Sequence, residues 1–316
     1  MTDYGYFLSS EELSPAVMID AARYAETVGV DSLFISDHFH PWLDSQGESA
    51  FVWAVLGAIA ASTEQRLMTG VTCPTFRIHP AILAQAAATT QLISGGRFRF
   101  GVGSGENLNE HILGHRWPPA ATRIEMLEEA VEILHQLWDG GYVTHHGRHY
   151  TVENARIYSL PDEPPPVLIS GFGPESTNLA ARVGQGYVNT TPDASFVRQY
   201  RADGGVGPTV ASMKICWGDD EGVCRKLAHD RWRTAALPGQ LSQELALPSQ
   251  FEAASQLVSE DDVSGSITCG PDPEAHVEAI RSYVDAGYDE IFIAQVGDDQ
   301  HGFLDFFDKE LRPRLP

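Results

Sequence analysis

The chain has 316 residues, of which 43% are hydrophobic, 20% charged and 9% aromatic; this excludes wholesale disorder and supports a core that needs no disulfides. Its 21 Lys+Arg against 43 Asp+Glu give a formal net charge of −22. A field of that sign excludes nucleic acid and membrane surfaces as partners, while leaving room for a local anion site on backbone N–H groups.

Short apolar runs alternate with segments of helical period, the pattern of a parallel α/β fold. Tyr4–Leu8 is the first predicted strand, and Ser14 caps a helix that opens on Pro15 and runs to about Val28. Strand Ser32–Ser36 leads to helix Phe51–Ala61, strand Arg66–Thr72 to helix Pro80–Ile93, and strand Arg97–Val102 to helix Arg123–Leu137. Asp139–Asp162 then reads as a turn-rich, hairpin-forming excursion, with His145-His146-Gly147 as its turn. Strand Val167–Ser170 and helix Ser176–Val183 follow, then strands Gly186–Asn189 and Ala211–Cys216, helix Gly222–Ala235, a second excursion over Leu237–Gly270, helix Pro273–Ala286 and strand Glu290–Ala294. Eight strands, each followed by a helix or an excursion, predict a (β/α)8 TIM barrel with insertion loops, in one domain over residues 1–316. A doubly wound sheet satisfies the same periodicity.

The four cysteines, Cys73, Cys216, Cys224 and Cys269, show no CxxC or Cys/His metal spacing, and no HExxH is present. Free thiols and no metal are expected. The N-terminus lacks the basic start and apolar run of a signal peptide, and no stretch of about 18 apolar residues occurs, so a cytoplasmic protein is expected.

On a barrel, chemistry sits where strands end. The second strand runs into Asp37-His38-Phe39-His40-Pro41-Trp42. An imidazole there suits a general base, because its unperturbed pKa of about 6.5 lets it accept a proton at neutral pH; filling the barrel rim is the plainer alternative. The third strand ends in small residues, Thr69-Gly70-Val71-Thr72-Cys73, which leave room for a flat ligand. The fourth ends in Gly101-Val102-Gly103-Ser104-Gly105-Glu106-Asn107-Leu108-Asn109-Glu110. Its alternating glycines admit close backbone approach, but the GxGxxG spacing, a P-loop and a GxSxG elbow are all missing. The fifth ends in Ser170-Gly171-Phe172-Gly173-Pro174, a turn opening a helix, which serves equally as a structural turn or a phosphate site.

Taken together, Ser36–Trp42, Cys73-Pro74-Thr75-Phe76, Gly101–Glu110 and Phe303-Leu304-Asp305-Phe306-Phe307 closely resemble the deazaflavin-dependent glucose-6-phosphate dehydrogenases of the luciferase-like superfamily of TIM-barrel oxidoreductases. The likeness runs in register from Tyr4 to the C-terminus and weakens between about Asp193 and Gly270. It implies coenzyme F420, a deazaflavin that carries hydride, and a homodimer. It further implies His38 as the base that takes the substrate hydroxyl proton, Glu106 as the acid beside the deazaflavin ring, Trp42 as a stabiliser of the intermediate and Glu11 close to substrate. The cofactor would be lined by Asp37, Gly70, Val71, Cys73, Asn109 and the Ser170, Gly171, Phe172, Gly173 turn, with a cis peptide between Gly70 and Val71.

The departure from the resemblance lies at the substrate. The two lysines and the arginine that hold the sugar phosphate in that family fall on Asp193, Ser242 and Ser266. A dianion wants cationic donors, and a carboxylate repels it; Lys214, Arg225, Lys226 and Arg231 are the nearby substitutes in sequence. The expectation is hydride transfer between F420 and a small-molecule alcohol, a sugar or other hydroxylated metabolite, with glucose 6-phosphate in second place. A reductase of a ketone, imine or activated alkene, an FMN-dependent monooxygenase and a non-catalytic barrel are the competing readings.

Overall fold

The computed structural model describes residues 2–316. Eight parallel strands close on themselves: β1 (Asp3–Leu8), β2 (Ser32–Ile35), β3 (Arg66–Thr69), β4 (Phe98–Val102), β7 (Val167–Ser170), β8 (Tyr187–Asn189), β9 (Thr209–Cys216) and β11 (Glu290–Gln295). The β8–β9 pairing shuts the ring, which decides for the (β/α)8 barrel over the doubly wound sheet. Both excursions carry further strands. β5 (Val143–His146) and β6 (Thr151–Ala155) form an antiparallel hairpin, and β10 (Thr268–Cys269) takes over the edge of β9 beyond the residues that β8 occupies. His145 and His146 are strand residues of that hairpin rather than its turn; Gly147 begins the turn, and its far side is held by the Glu129 carboxylate, which accepts from the His149 and Tyr150 N–H groups.

The period-2 alternation of the strands sorts side chains to the two faces of the barrel wall. Phe7, Phe34, Met68, Leu168, Val188, Val210, Phe292 and Ala294 fill the lumen, while their strand neighbours Leu8, Leu33, Ile35, Leu67, Ile169, Ile291 and Ile293 face the helix layer. The lumen-facing residues of β4 are Arg99 and Gly101. Strands β4 and β11 are not neighbours in the sheet, so the paired bonds from Arg99 to Glu290, both 2.6 Å, span the barrel interior near its N-terminal end.

Helix Pro15–Thr27 begins as expected on the Ser14 cap and Pro15. Helices Ala194–Ala202, capped by Asp193, and Gln300–Phe306 are additional to those read from the sequence. The Leu237–Gly270 excursion is a string of short helices, Leu241–Glu244, Pro248–Ala254 and Glu260–Ser264. It is drawn across the mouth because Phe251, fully buried, packs with Leu43 and Leu108, and because Asn107 Nδ2 donates to the Glu244 carbonyl.

Replacing Arg99 with Ala leaves Glu290 buried and uncompensated, and is expected to cost about 3–5 kcal/mol in urea unfolding. The double variant R99M/E290L removes both charges and should recover most of that loss.

Candidate active site

Glu11, His38, Trp42 and Glu106 come from three different strand ends, and closure of the barrel brings them to one mouth. His38 Nε2 lies 3.5 Å from Glu11 Oε1 and 3.7 Å from Glu106 Oε2. Its Nδ1 is 3.1 Å from the His40 carbonyl oxygen. Asn109 Nδ2, which can only donate, lies 3.2 Å from the same Nδ1, so the ring is held on that side whichever nitrogen carries the proton, and Nε2 faces the mouth. Trp42 covers the ring, with centroids 5.1 Å apart, and is itself backed edge-on by Phe251.

The two carboxylates live in different surroundings. Burial pushes Glu11 up, but the His38 charge, a 2.5 Å hydrogen bond from Ser36 Oγ and the Lys214 charge outweigh it, and its pKa lies below the ordinary value. Ser9 Oγ adds a second donor at 3.0 Å. Glu106 is pushed up to about 6, chiefly by burial; His38 and the 3.1 Å bond from Asn109 Nδ2 pull down, and Glu11 and Glu110 push up. One carboxylate is held charged and the other keeps its proton up to about pH 6. That separation is the mark of an acid and base pair.

Asn109 is a hub. Its Oδ1 accepts from the backbone N–H of Phe39 and of His40, tying the β2 end to the β4 end. Asp37 is buried with both oxygens taken, one by Thr72 Oγ1 at 2.7 Å and one by Arg77 at 2.7 Å. Arg77 also reaches Glu110, which accepts from Thr75 Oγ1 and from the Phe76 and Arg77 N–H groups. The ends of β2, β3 and β4 are thereby locked together. Arg77, Glu110 and Ser36 escaped the sequence reading, although Glu110 closes the Gly101–Glu110 motif.

Gly70–Val71 is cis, as the resemblance implied. A Cβ at Gly70 would lie 1.9 Å from the Phe34 ring, and one at Gly103 would lie 2.8 Å from Val71 Cγ2. Glycine at both positions lets the shelf beside β3 and β4 sit close against the lumen. Burial, with Glu110 and Glu106 beside it, pushes the Cys73 thiol well up, so Cys73 contributes shape rather than a thiolate. At the end of β7, the Gly171 carbonyl accepts from Tyr187 Oη and Asn189 Nδ2, and Gly173 opens helix Pro174–Val183. A methyl group at Gly173 would meet nothing within 4 Å, while Ser170 is buried and Phe172 half-exposed at the turn. An open turn at a helix N-terminus beside a glycine shelf fits a flat ring carrying an anionic tail.

Asp193, Ser242 and Ser266 do not gather. Asp193 is exposed and caps helix Ala194–Ala202 by accepting from the Ser195 N–H; Ser242 lies in helix Leu241–Glu244; Ser266 is exposed beside a groove of about 590 Å³ that also involves Leu237 and Val258 but none of the mouth residues. Among the four cations, Arg225 pairs with Asp261 and Lys226 with Asp230 on the surface of helix Glu221–Trp232, and Arg231 lies 3.8 Å from Glu12. Lys214 points into the mouth. Glu12, buried beside it, accepts from Trp232 Nε1 at 2.7 Å.

The sequence profile described as luciferase-like monooxygenase matches residues 2–290. The chain is 34% identical to the F420-dependent glucose-6-phosphate dehydrogenase of Microbacterium testaceum (strain StLB037), over 99% of this chain and 97% of that one. It is 33% identical to the protein of the same name from Nakamurella multipartita, over 99% and 96%. Among solved structures it resembles an F420-dependent secondary alcohol dehydrogenase in complex with an F420–acetone adduct, with a TM-score of 0.91, 28% identity and 98% of each chain covered.

Burial pushes Glu12 up to about 7 from its ordinary 4.5, against the Trp232 hydrogen bond and Arg231. The folded state therefore holds a proton that the unfolded chain releases near 4.5, and this carboxyl withdraws stability as pH rises from there through 7. Glu12→Gln, which can still accept from Trp232, should unfold like the parent at pH 5 and be more stable at pH 8, by about 1–3 kcal/mol in denaturant titrations.

Proposed function

The chain belongs to the luciferase-like monooxygenase family, and from that premise we propose that it is an F420-dependent oxidoreductase that moves a hydride between the deazaflavin and the carbinol carbon of a small neutral alcohol. The observation that carries this reading is His38 Nε2, facing the mouth with two carboxylates of unequal proton affinity at 3.5 and 3.7 Å. The names of the relatives supply the cofactor.

In this reading the shelf of Gly70, Val71, Cys73 and Gly103 and the Ser170–Gly173 turn hold the cofactor, with Asp37 and Asn109 fixing the loops behind it. The deazaflavin, when bound, supplies the ring carbon that takes or returns the hydride. A carbinol carbon releases hydride only as its hydroxyl proton leaves, so a base within hydrogen-bond reach is required and contributes roughly 10²–10⁴-fold. His38 Nε2 takes that proton. The imidazolium that results faces Glu11, whose charge is secured by Ser9, Ser36 and Lys214. Glu106, raised to about 6, holds a proton that can meet charge building on the cofactor side. Trp42 and the Phe251 helix behind it exclude water from the ring.

A neutral substrate fits better than a sugar phosphate. Asp193, Ser242 and Ser266 offer no cation, and Arg225 and Lys226 are tied down on a helix surface.

Titration with oxidised F420 and with FMN should show a clear preference for the deazaflavin, and bleaching of its absorbance should follow addition of a neutral alcohol; preference for FMN would move the chain to the monooxygenase branch. His38→Ala should lower turnover about 10²–10⁴-fold while deazaflavin binding, read by fluorescence, persists. In the oxidation direction kcat should fall as pH rises through about 6, where Glu106 loses its proton, and Glu106→Gln should abolish that limb.

A further inference from the structure

In the chemistry above Lys214 acts only at a distance, through its field on Glu11. On β9 the lumen-facing positions are Val210, Ser212 and Lys214, and Lys214 pairs in register with Ala294 of β11. The small Ala294 side chain leaves the path open to Phe7 of β1. The Lys214 ammonium accordingly lies 5.4 Å from the Phe7 ring centre and 3.9 Å from that of Trp232. Its carboxylate neighbours are Glu11, Glu12 and Glu106. Each lies beyond the 4 Å of an ion pair, and among the described residues no acceptor takes any of its three N–H donors. Nor is the nitrogen sealed in protein: it is absent from the buried polar atoms that lack a partner, and the residue is only half-buried. An amine donor thus opens on the same space as His38 Nε2 with all its hydrogen-bonding capacity unclaimed, its pKa held below the ordinary lysine value by burial against the pull of the three glutamates.

We propose that Lys214 reads a second oxygen of the substrate, so that the alcohol this site takes is an uncharged polyol with a hydroxyl on the carbon next to the reacting carbinol. The inference rests on the alcohol-oxidising reading of the same mouth and names its substrate class. A substrate with a single hydroxyl would strip water from the ammonium and return no acceptor, and a site built around such a donor rejects the analogue that lacks the matching oxygen far more strongly than it rejects a missing methylene. A phosphate or carboxylate would satisfy the ammonium but would lie against the charged Glu11 in the same low-dielectric space, and close to Glu12 and Glu106, whose ionisation it would oppose. A neighbouring hydroxyl accepts from Lys214 and adds no charge.

The minimal probes are cyclohexanol and cis-1,2-cyclohexanediol, which differ by one hydroxyl, with glucose 6-phosphate as the anionic arm, all assayed on the F420-loaded enzyme. The diol should exceed cyclohexanol by at least about 100-fold in kcat/KM, and Lys214→Met should bring the ratio near one, mainly through KM, while Lys214→Arg keeps part of it. Unchanged F420 affinity and thermal unfolding in both variants exclude a folding defect. Binding is read separately by calorimetry in the F420-loaded His38→Ala enzyme, with and without Lys214→Met. Diol binding that depends on Lys214 without bleaching by any alcohol would support this assignment and overturn the dehydrogenase reading. Cyclohexanol oxidised as well as the diol, or both substrates falling alike in Lys214→Met, would overturn the assignment and leave that reading intact. Preference for glucose 6-phosphate that disappears in Lys214→Met would overturn the neutral class and make Lys214 an anion site.

Discussion

One imidazole between two carboxylates that cannot behave alike is the interaction on which the mouth depends. Two glutamates that both stayed ionised would set two negative charges against one ring nitrogen, at 3.5 and 3.7 Å. The conflict is resolved by unequal surroundings. Glu11 receives Ser9, Ser36 and the field of Lys214 and stays charged, whereas burial lifts Glu106 toward the neutral range. The proposed base His38 therefore sits between carboxylates of unequal proton affinity, with Trp42 and Phe251 packed over it.

Holding that geometry requires rigid loops, and the fold supplies rigidity just behind the reactive groups. Asp37, adjacent to His38, is fixed by Thr72 and Arg77; Arg77 continues to Glu110, one residue from Asn109, and Asn109 returns to the His38 loop through two backbone N–H groups. The circuit joins the ends of β2, β3 and β4 by hydrogen bonds and one longer ion pair, Arg77 Nε with Glu110 Oε1 at 3.7 Å, that are almost wholly buried. Such groups are expensive to bury unless every one is paired. The arrangement therefore tolerates little displacement, as befits a base that must be placed within a fraction of an ångström.

The barrel was legible because parallel strands buried on both faces read as apolar runs, and all eight fall where those runs lie. Boundaries moved where local chemistry overrode the pattern. The third strand stops at Thr69 because Gly70–Val71 turns away from the ladder, although Thr72 rejoins it by a bridge to Val102. His38, Trp42 and Glu106 were legible because a strand end concentrates chemistry in a few consecutive residues. Arg77 and Lys214 were harder to read. The first sits in a loop whose partners are remote in sequence; the second is the one charged residue in a largely apolar strand, and only the alternation set by barrel closure turns it inward. Asp193, Ser242 and Ser266 failed to gather for a related reason. They belong to segments whose position is set by packing of the excursion and the outer helices, not by strand register.

The overall charge and the local charge of the mouth lead to the same conclusion about what enters. A chain at −22 repels anions at long range, and the mouth sets the charged Glu11, with Glu12 and Glu106 of raised proton affinity, around a single unpaired ammonium. Were that ammonium meant to neutralise a carboxylate, a direct ion pair with Glu11 or Glu12 would be the lower-energy arrangement, since both are close at hand. Instead it rests against the faces of Trp232 and Phe7, which stabilise the charge without occupying its N–H donors. A cation held by ring faces is kept free to donate, and the group it donates to must come from outside the chain.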